Sequence, residues 1–198
     1  MHRTGKTPFE RFQAAVASGD DARAEELVAL LTKADIPSLR SMAKEEGSQR
    51  WWGIRALAQV GGPSEAALFR ACLDDPRPDM RALGLMALAA LAERDSHAVE
   101  PHLEAMAALL ADPEGLVRQV AVDALARGGE AAIPVLTAAL ESAQDGVRVR
   151  TARALQRIGV MAVAPALYHH LEDSNPLVRH YAYEALDRLG LLNNLLLK

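Results

Sequence analysis

"DPEGLVRQVAVDALARGG", residues 112–129, is the stretch whose reading decides the fold. Asp112-Pro113 is a turn signal, because proline fixes its own φ and pushes the preceding residue out of the helical region. After the turn, Val117, Ala121, Ala124 and Leu125 fall on one face at a helical period. Gly128-Gly129 then ends the run, as glycine does at helix C-termini. One arginine, Arg118, sits inside this apolar pattern, six residues after Asp112.

The pattern recurs along the chain. With Arg as the anchor, a small residue follows three positions on and Ala-Leu follows at six and seven. Arg50 is followed by Gly53 and Ala56-Leu57, and Arg81 by Gly84 and Ala87-Leu88. Arg118 is followed by Ala121 and Ala124-Leu125, Arg148 by Thr151 and Ala154-Leu155, and Arg179 by Ala182 and Ala185-Leu186. The anchors lie 31, 37, 30 and 31 residues apart, and Gly61, Gly128, Gly159 and Gly190 close most of the runs. A fixed period of this size in a helical sequence predicts a solenoid of helix pairs. The first helix of each pair has its own signature in Ile36-Pro37-Ser38-Leu39, Ile133-Pro134-Val135-Leu136 and Ala164-Pro165-Ala166-Leu167. Proline is tolerated in a first helical turn, where its missing N–H has no intrahelical partner. The wider spacing of 37 predicts a third pair lengthened by two helical turns at Ser96–Pro101.

Composition agrees with this reading. Half of the 198 residues are apolar and only 4% are aromatic, with Ala and Leu dominant. Such a chain favours helix over strand. No apolar run is long enough for a membrane span. The amino-terminal MHRTGKTPFERF lacks an apolar signal-peptide core. The single Cys72 cannot form an intrachain disulfide, so a reducing, cytoplasmic setting is expected. The net charge of −4 argues against a nucleic-acid binder.

Ile-Pro-x-Leu, then Asp at a turn, then Val-Arg, Ala-Leu and Gly together resemble the HEAT-repeat family. The closest likeness is to its short bacterial version, the repeats named after phycobiliprotein lyases. The resemblance covers residues 35–190. It implies an all-α, right-handed α-solenoid of about five HEAT-like hairpins at 35–61, 62–92, 93–129, 130–159 and 160–190. An N-terminal helical cap at 1–34 and a tail or cap at 191–198 would complete it. The resemblance also implies an Asp–Arg ladder along the stack. Its matching pairs are Asp75/Arg81, Asp112/Arg118 and Asp173/Arg179, each six apart, with Arg148 also in line. An arginine fork can bond a carboxylate and turn carbonyls together. Lys44 and Ser142 stand where the first and fourth repeats would need Asp, so the ladder is expected to be interrupted there. Asp145, three before Arg148, is a candidate substitute.

On each second helix, positions −1, +3, +6, +7 and +10 from the anchor form the apolar arc. Positions +1, +5 and +8 point the other way, and the resemblance places them on the concave surface. The row includes Trp51, Arg55, Met86, Gln119, Asp123, Arg153, His180 and Glu184. It runs from an apolar start at Trp51 and Met86, through a polar middle and a basic fourth repeat, to an acidic end. Trp, Met and Arg are enriched at interface hot spots, which makes Trp51 a candidate anchor. The alternative is that one tryptophan of the Trp51-Trp52 pair packs beneath the N-terminal cap.

The ends follow solenoid logic, since terminal repeats need covers. Residues 8–33 read as a helical hairpin turning at Gly19-Asp20-Asp21. The terminal Leu195-Leu196-Leu197 either folds back over the last repeat or marks self-association or a partner site. Gly5-Lys6-Thr7 lacks the upstream glycine and strand of a phosphate loop. His169, His170, Glu172, Asp173, His180 and Glu184 cluster in sequence, but no His-Glu dipeptide of the HEAT-like di-iron hydroxylases occurs. Cys72, between Phe69 and Leu73, reads as a small core residue. No catalytic residue, metal or cofactor is expected. The leading function is a non-catalytic scaffold binding an unidentified protein or peptide on the concave face. The alternatives implied by resemblance are a bilin lyase or chaperone role, and DNA-backbone binding through Arg148, Arg150, Arg153 and Arg157, as in HEAT-like alkylpurine glycosylases.

Overall fold

The computed structural model describes residues 6–192, and among them are twelve α-helices and no strand. The chain opens with α1 (Pro8–Ser18) and α2 (Asp21–Val28). Thr7 starts α1 with a capping box: its hydroxyl accepts from Glu10 N at 3.1 Å, while its own N–H donates to the Glu10 carboxylate at 2.8 Å. Gly19 ends α1 with φ 72°, the left-handed turn that sends the chain back as α2.

Ten further helices alternate short and long. They are α3 (Ile36–Met42), α4 (Gly47–Val60), α5 (Ala66–Cys72), α6 (Pro78–Ala92), α7 (Leu103–Ala108) and α8 (Gly115–Arg127). After these come α9 (Ile133–Leu140), α10 (Asp145–Ile158), α11 (Ala164–Tyr168) and α12 (Pro176–Arg188). Each short helix is entered through a single 3-10 turn, as at Lys33–Asp35 and Pro63–Glu65. We propose grouping them as five repeats, each a short first helix and a long second helix, behind the α1–α2 cap.

The long helices pack in sequence, α4 on α6, α6 on α8, α8 on α10 and α10 on α12. The short helices touch one another much less. A closely packed row of long helices thus lies beside a more widely spaced row of short ones. The anchor pattern explains the core. Leu57, Leu88, Leu125, Leu155 and Leu186 are fully buried, and so are the small residues Gly53, Gly84, Ala121, Thr151 and Ala182 four positions before them. Each hidden leucine contributes about 2 kcal/mol, most of it realised only when the adjacent hairpin is present.

The structure corrects one expectation. The residues at Ser96–Pro101 do not lengthen a helix. Helix α6 stops at Ala92, and the insertion forms turns ending in the 3-10 segment Glu100–His102. The Asp95 carboxylate accepts from Ala98 N at 3.2 Å, and Ser96 O accepts from both Val99 N and Glu100 N. These bonds satisfy the backbone in a turn instead of a helix. Arg94, at the start of the insertion, donates to the carbonyls of Ala58, Gln59 and Gly61, the orphan acceptors at the end of α4.

At the other end, the Tyr168 hydroxyl donates to Leu191 O at 3.2 Å and Leu192 is buried, so the chain returns over α11. The leucines at 195–197 and the residues at 3–5 of the phosphate-loop-like motif lie outside the described residues.

Candidate functional site

The arginine ladder is present, but its pairs differ from those the six-residue spacing suggests. Arg81 donates from Nη1 to the main-chain oxygens of Asp75 and Pro76 in its own turn, at 3.0 and 3.1 Å. Its Nε and Nη2 grip the carboxylate of Asp112, one repeat further on, at 2.7 and 2.9 Å. Arg148 grips Asp173 in the same way, at 2.9 and 3.1 Å, and Arg50 reaches Asp75 at 2.5 Å. Arg81 and Arg148 therefore tie their own turns to the next, while Arg50 reaches only the next. The six-apart partners Asp75, Asp112 and Asp173 offer their backbone oxygens to Arg81, Arg118 and Arg179. Burial alone would push the Asp112 carboxyl up, but Arg81 and the Glu114 N–H hold it below the usual carboxylate range. Asp75 is lowered in the same manner. For Asp173 the Arg148 hydrogen bond outweighs burial.

The row at positions +1 and +5 divides into two halves. In the first two repeats it carries Trp51 and Met86 as apolar members, with Arg55 between them in sequence. Trp51 is half-buried and Met86 is 49% exposed. Trp52 turns inward instead: it is buried, stands edge-on to Phe12 of α1 at 6.1 Å, and donates its indole N–H to Asp21 at 3.1 Å. The tryptophan beneath the cap is thus Trp52, leaving Trp51 on the row. The ring of Trp51 meets Trp52 at 78° and borders a cleft of about 360 Å³ that also touches Ser48, Arg77 and Asp79. Arg55 pairs with Glu25 of α2.

From the third repeat on, the row is polar and bonded to itself. Gln119 donates to Asp123 at 3.0 Å and accepts from Arg153 at 3.1 Å. Arg157 pairs with Asp123 across the same helix boundary. Gln156 donates to Glu184 at 2.7 Å, and His180 and Arg188 also stand against Glu184. The position +8 residues Ala58, Ala82 at +1, and Ala89 are buried between the helices and are not on the open surface.

A family model described as HEAT repeats matches residues 67–152 and 133–194, more than half of the chain. The chain belongs to the HEAT repeat family. The model is of HEAT repeats at large and does not single out the phycobiliprotein-lyase type. No curated protein sequence matches the chain. Among solved structures it resembles YibA of Escherichia coli, with TM-score 0.57 and 16% identity over 98% of this chain and 81% of that one. An archaeal HEAT-like repeat protein from Thermococcus onnurineus NA1 gives 0.54 at 15% identity, covering 94% and 81%. A designed armadillo repeat protein in complex with a (KR)4 peptide gives 0.51 at 16%, covering 93% and 99%. At these identities the likeness speaks for the fold alone.

Within this HEAT stack the remaining candidates separate. Arg148, Arg150, Arg153 and Arg157 of α10 go to different partners: Asp173, Leu110 O, Gln119 and Asp123. They do not form the continuous basic track that a phosphate backbone needs. No group of three or more His, Cys, Asp or Glu side chains suited to a metal occurs among the described residues. His170 turns toward Ala166 O at 2.9 Å, and His180 stands on α12 against Glu184. Cys72 is buried in α5, and burial pushes its thiol up to about 11. No helix among the described residues is long and apolar enough to cross a membrane.

Sequence reading missed the Arg40–Glu65 pair. Glu65 is buried, accepts from Gly62 N at 2.7 Å and holds the Arg40 guanidinium from the previous hairpin. Its signal was an acid three residues after Gly62 at a helix entry, a reach-back position.

Proposed function

We propose that this HEAT protein is a non-catalytic binding module that takes an extended peptide or protein segment along its row of long helices. The observation that carries the reading is the contrast within that row. Trp51 and Met86 present apolar surface, whereas Gln119, Asp123 and Arg153 already bond to one another and Glu184 is held by Gln156 and Arg188. A large aromatic ring beside an open cleft, flanked by Arg77 and Asp79, has the composition of an interface anchor. The polar half supplies register: its exposed edges, His180 among them, offer hydrogen bonds without needing to be stripped of water. A solenoid of similar fold accepts a (KR)4 peptide, which supports an extended ligand here.

The test is affinity capture from the native cell extract with wild type and with Trp51→Ala/Met86→Ala. The double variant should retain its helical circular dichroism and lose the specific partner. Equal capture by a folded variant would remove the patch from the proposal.

A further inference from the structure

The ladder has a vacant place between the third and fourth repeats, and the chemistry around it specifies an occupant. Arg118 is held in the pose of Arg81. Its Nη1 donates to Asp112 O and Pro113 O, both at 2.7 Å, as Arg81 does to Asp75 O and Pro76 O. In the next turn, Ser142 stands where Asp112 and Asp173 stand in theirs. The correspondence is structural as well as sequential. Ser142 Oγ accepts from Gln144 N at 3.2 Å, just as Asp112 accepts from Glu114 N and Asp173 from Asn175 N, each at 2.8 Å. A hydroxymethyl group is too short to span to Arg118. No carboxylate oxygen lies within 4 Å of the Arg118 guanidinium among the described residues, whereas Arg81 holds one carboxylate and Arg148 holds two, those of Asp173 and of Asp145, three residues before the arginine.

A second arginine reaches the same turn. Arg150 of α10 donates from Nε to Leu110 O at 2.6 Å, and its guanidinium lies over Gly146, where a Cβ would stand 3.1 Å from Nη1. It too has no carboxylate within 4 Å among the described residues. Leu110 and Asp112 are two residues apart, so both guanidinium groups border one short segment. Burial and the charge of Arg118 both weigh against the charged form of Arg150. The nearby Asp112 carboxylate is already taken by Arg81 and an amide. Both arginines remain partly open to solvent.

We propose that Arg118 and Arg150 bind a dianionic oxyanion of the phosphate class, seated where the aspartate carboxylate sits in the neighbouring rungs. The charge balance selects the dianion. At the Arg81 rung one guanidinium faces one carboxylate, and at the Arg148 rung one faces two, Asp145 and Asp173, but here two guanidinium groups have no carboxylate within 4 Å among the described residues. The site lies at the turns between helices and does not rest on the reading of Trp51 and Met86.

Inorganic phosphate is the probe. Thermal melts in millimolar phosphate, against chloride of equal ionic strength, should show a higher Tm for the wild type, as any native-state ligand produces. Titration calorimetry should give one site. Ser142→Asp supplies the missing carboxylate, so it should raise the Tm without phosphate and abolish the phosphate response. Arg150→Gln should leave the fold intact and weaken phosphate binding roughly tenfold. No phosphate-specific shift in the wild type would overturn the proposal. So would a response that persists undiminished in Ser142→Asp or in Arg150→Gln.

Discussion

Arg81 holds three acceptors with one guanidinium, two carbonyls of its own turn and the carboxylate of Asp112 beyond it. Its side chain is 12% exposed and that of Asp112 is 3% exposed, so neither charge can fall back on water if the other is removed. Asp112→Ala should therefore cost about 3 kcal/mol, the loss expected when one partner of a buried pair is deleted. Chemical denaturation would measure it, and a loss comparable to that of an exposed pair would show that the rung is not a fastener. Cys72 gives a second residue-scale expectation. With its thiol pushed up to about 11 by burial, beyond the opposing pull of Arg50, the thiolate is scarce at neutral pH. A thiol reagent should react with Cys72 only after unfolding, and reaction with the native protein at neutral pH would contradict its place in the core. The recurrence of Asp six residues before Arg was legible in the chain. Which carboxylate each arginine holds was not, because the true partner lies 31 residues away for Arg81 and 25 for Arg148. That pairing is set by how one hairpin stacks on the next, which local spacing does not encode.

At the scale of elements, the small residue three positions after each anchor has a steric cause. The long helix crosses its short partner at that point. A Cβ on Gly53 would stand 2.6 Å from Ala43 N and 2.9 Å from the Met42 carbonyl carbon, and one on Gly84 would meet Cys72 Cβ at 2.7 Å and Phe69 O at 2.9 Å. Gly53→Ala drives a methyl group into backbone that cannot rotate away, so it should destabilise by about 3 kcal/mol. Gly62→Ala is the control: its φ of −131° suits alanine and nothing lies within 4 Å of the added carbon. A melt in which Gly53→Ala matches Gly62→Ala would refute the crossing argument. The helices themselves were readable because turn signals, first-turn prolines and closing glycines mark their ends. The insertion near Ser96 misled, because a count of extra residues carries no information on whether they wind or turn. Asp95 and Ser96 decide it, through side-chain and backbone bonds that compete with helix. For the candidate face, the period placed Trp51 and Met86 on the open row, yet could not say that Gln119, Asp123 and Arg153 would bond to one another across helix boundaries.

Over the whole molecule, stability is a chain of neighbour contacts, since each hairpin hides its apolar side only against the next. The ladder repeats one ion pair at three of the four boundaries between repeats, so its pH dependence should act on much of the stack at once. Asp75, Asp112 and Asp173 are each held below their ordinary range in the folded state, and Glu65 is as well, its bonds from Gly62, Arg40 and Ser64 overcoming burial. A carboxyl whose folded pKa is depressed binds protons more weakly than in the unfolded chain. Its stabilisation is complete above the unfolded value and vanishes as the pH falls through the folded one. The Tm should therefore stay level from neutral pH down to about 5 and drop below about 4, where the unfolded carboxyls begin to take up protons. Asp112→Asn should begin from a lower Tm and lose less of it between pH 5 and the acid limit, because one of the linked groups is gone. A main loss of stability between pH 8 and 6 would instead implicate histidines, and would show that the rungs between repeats are not what acid breaks.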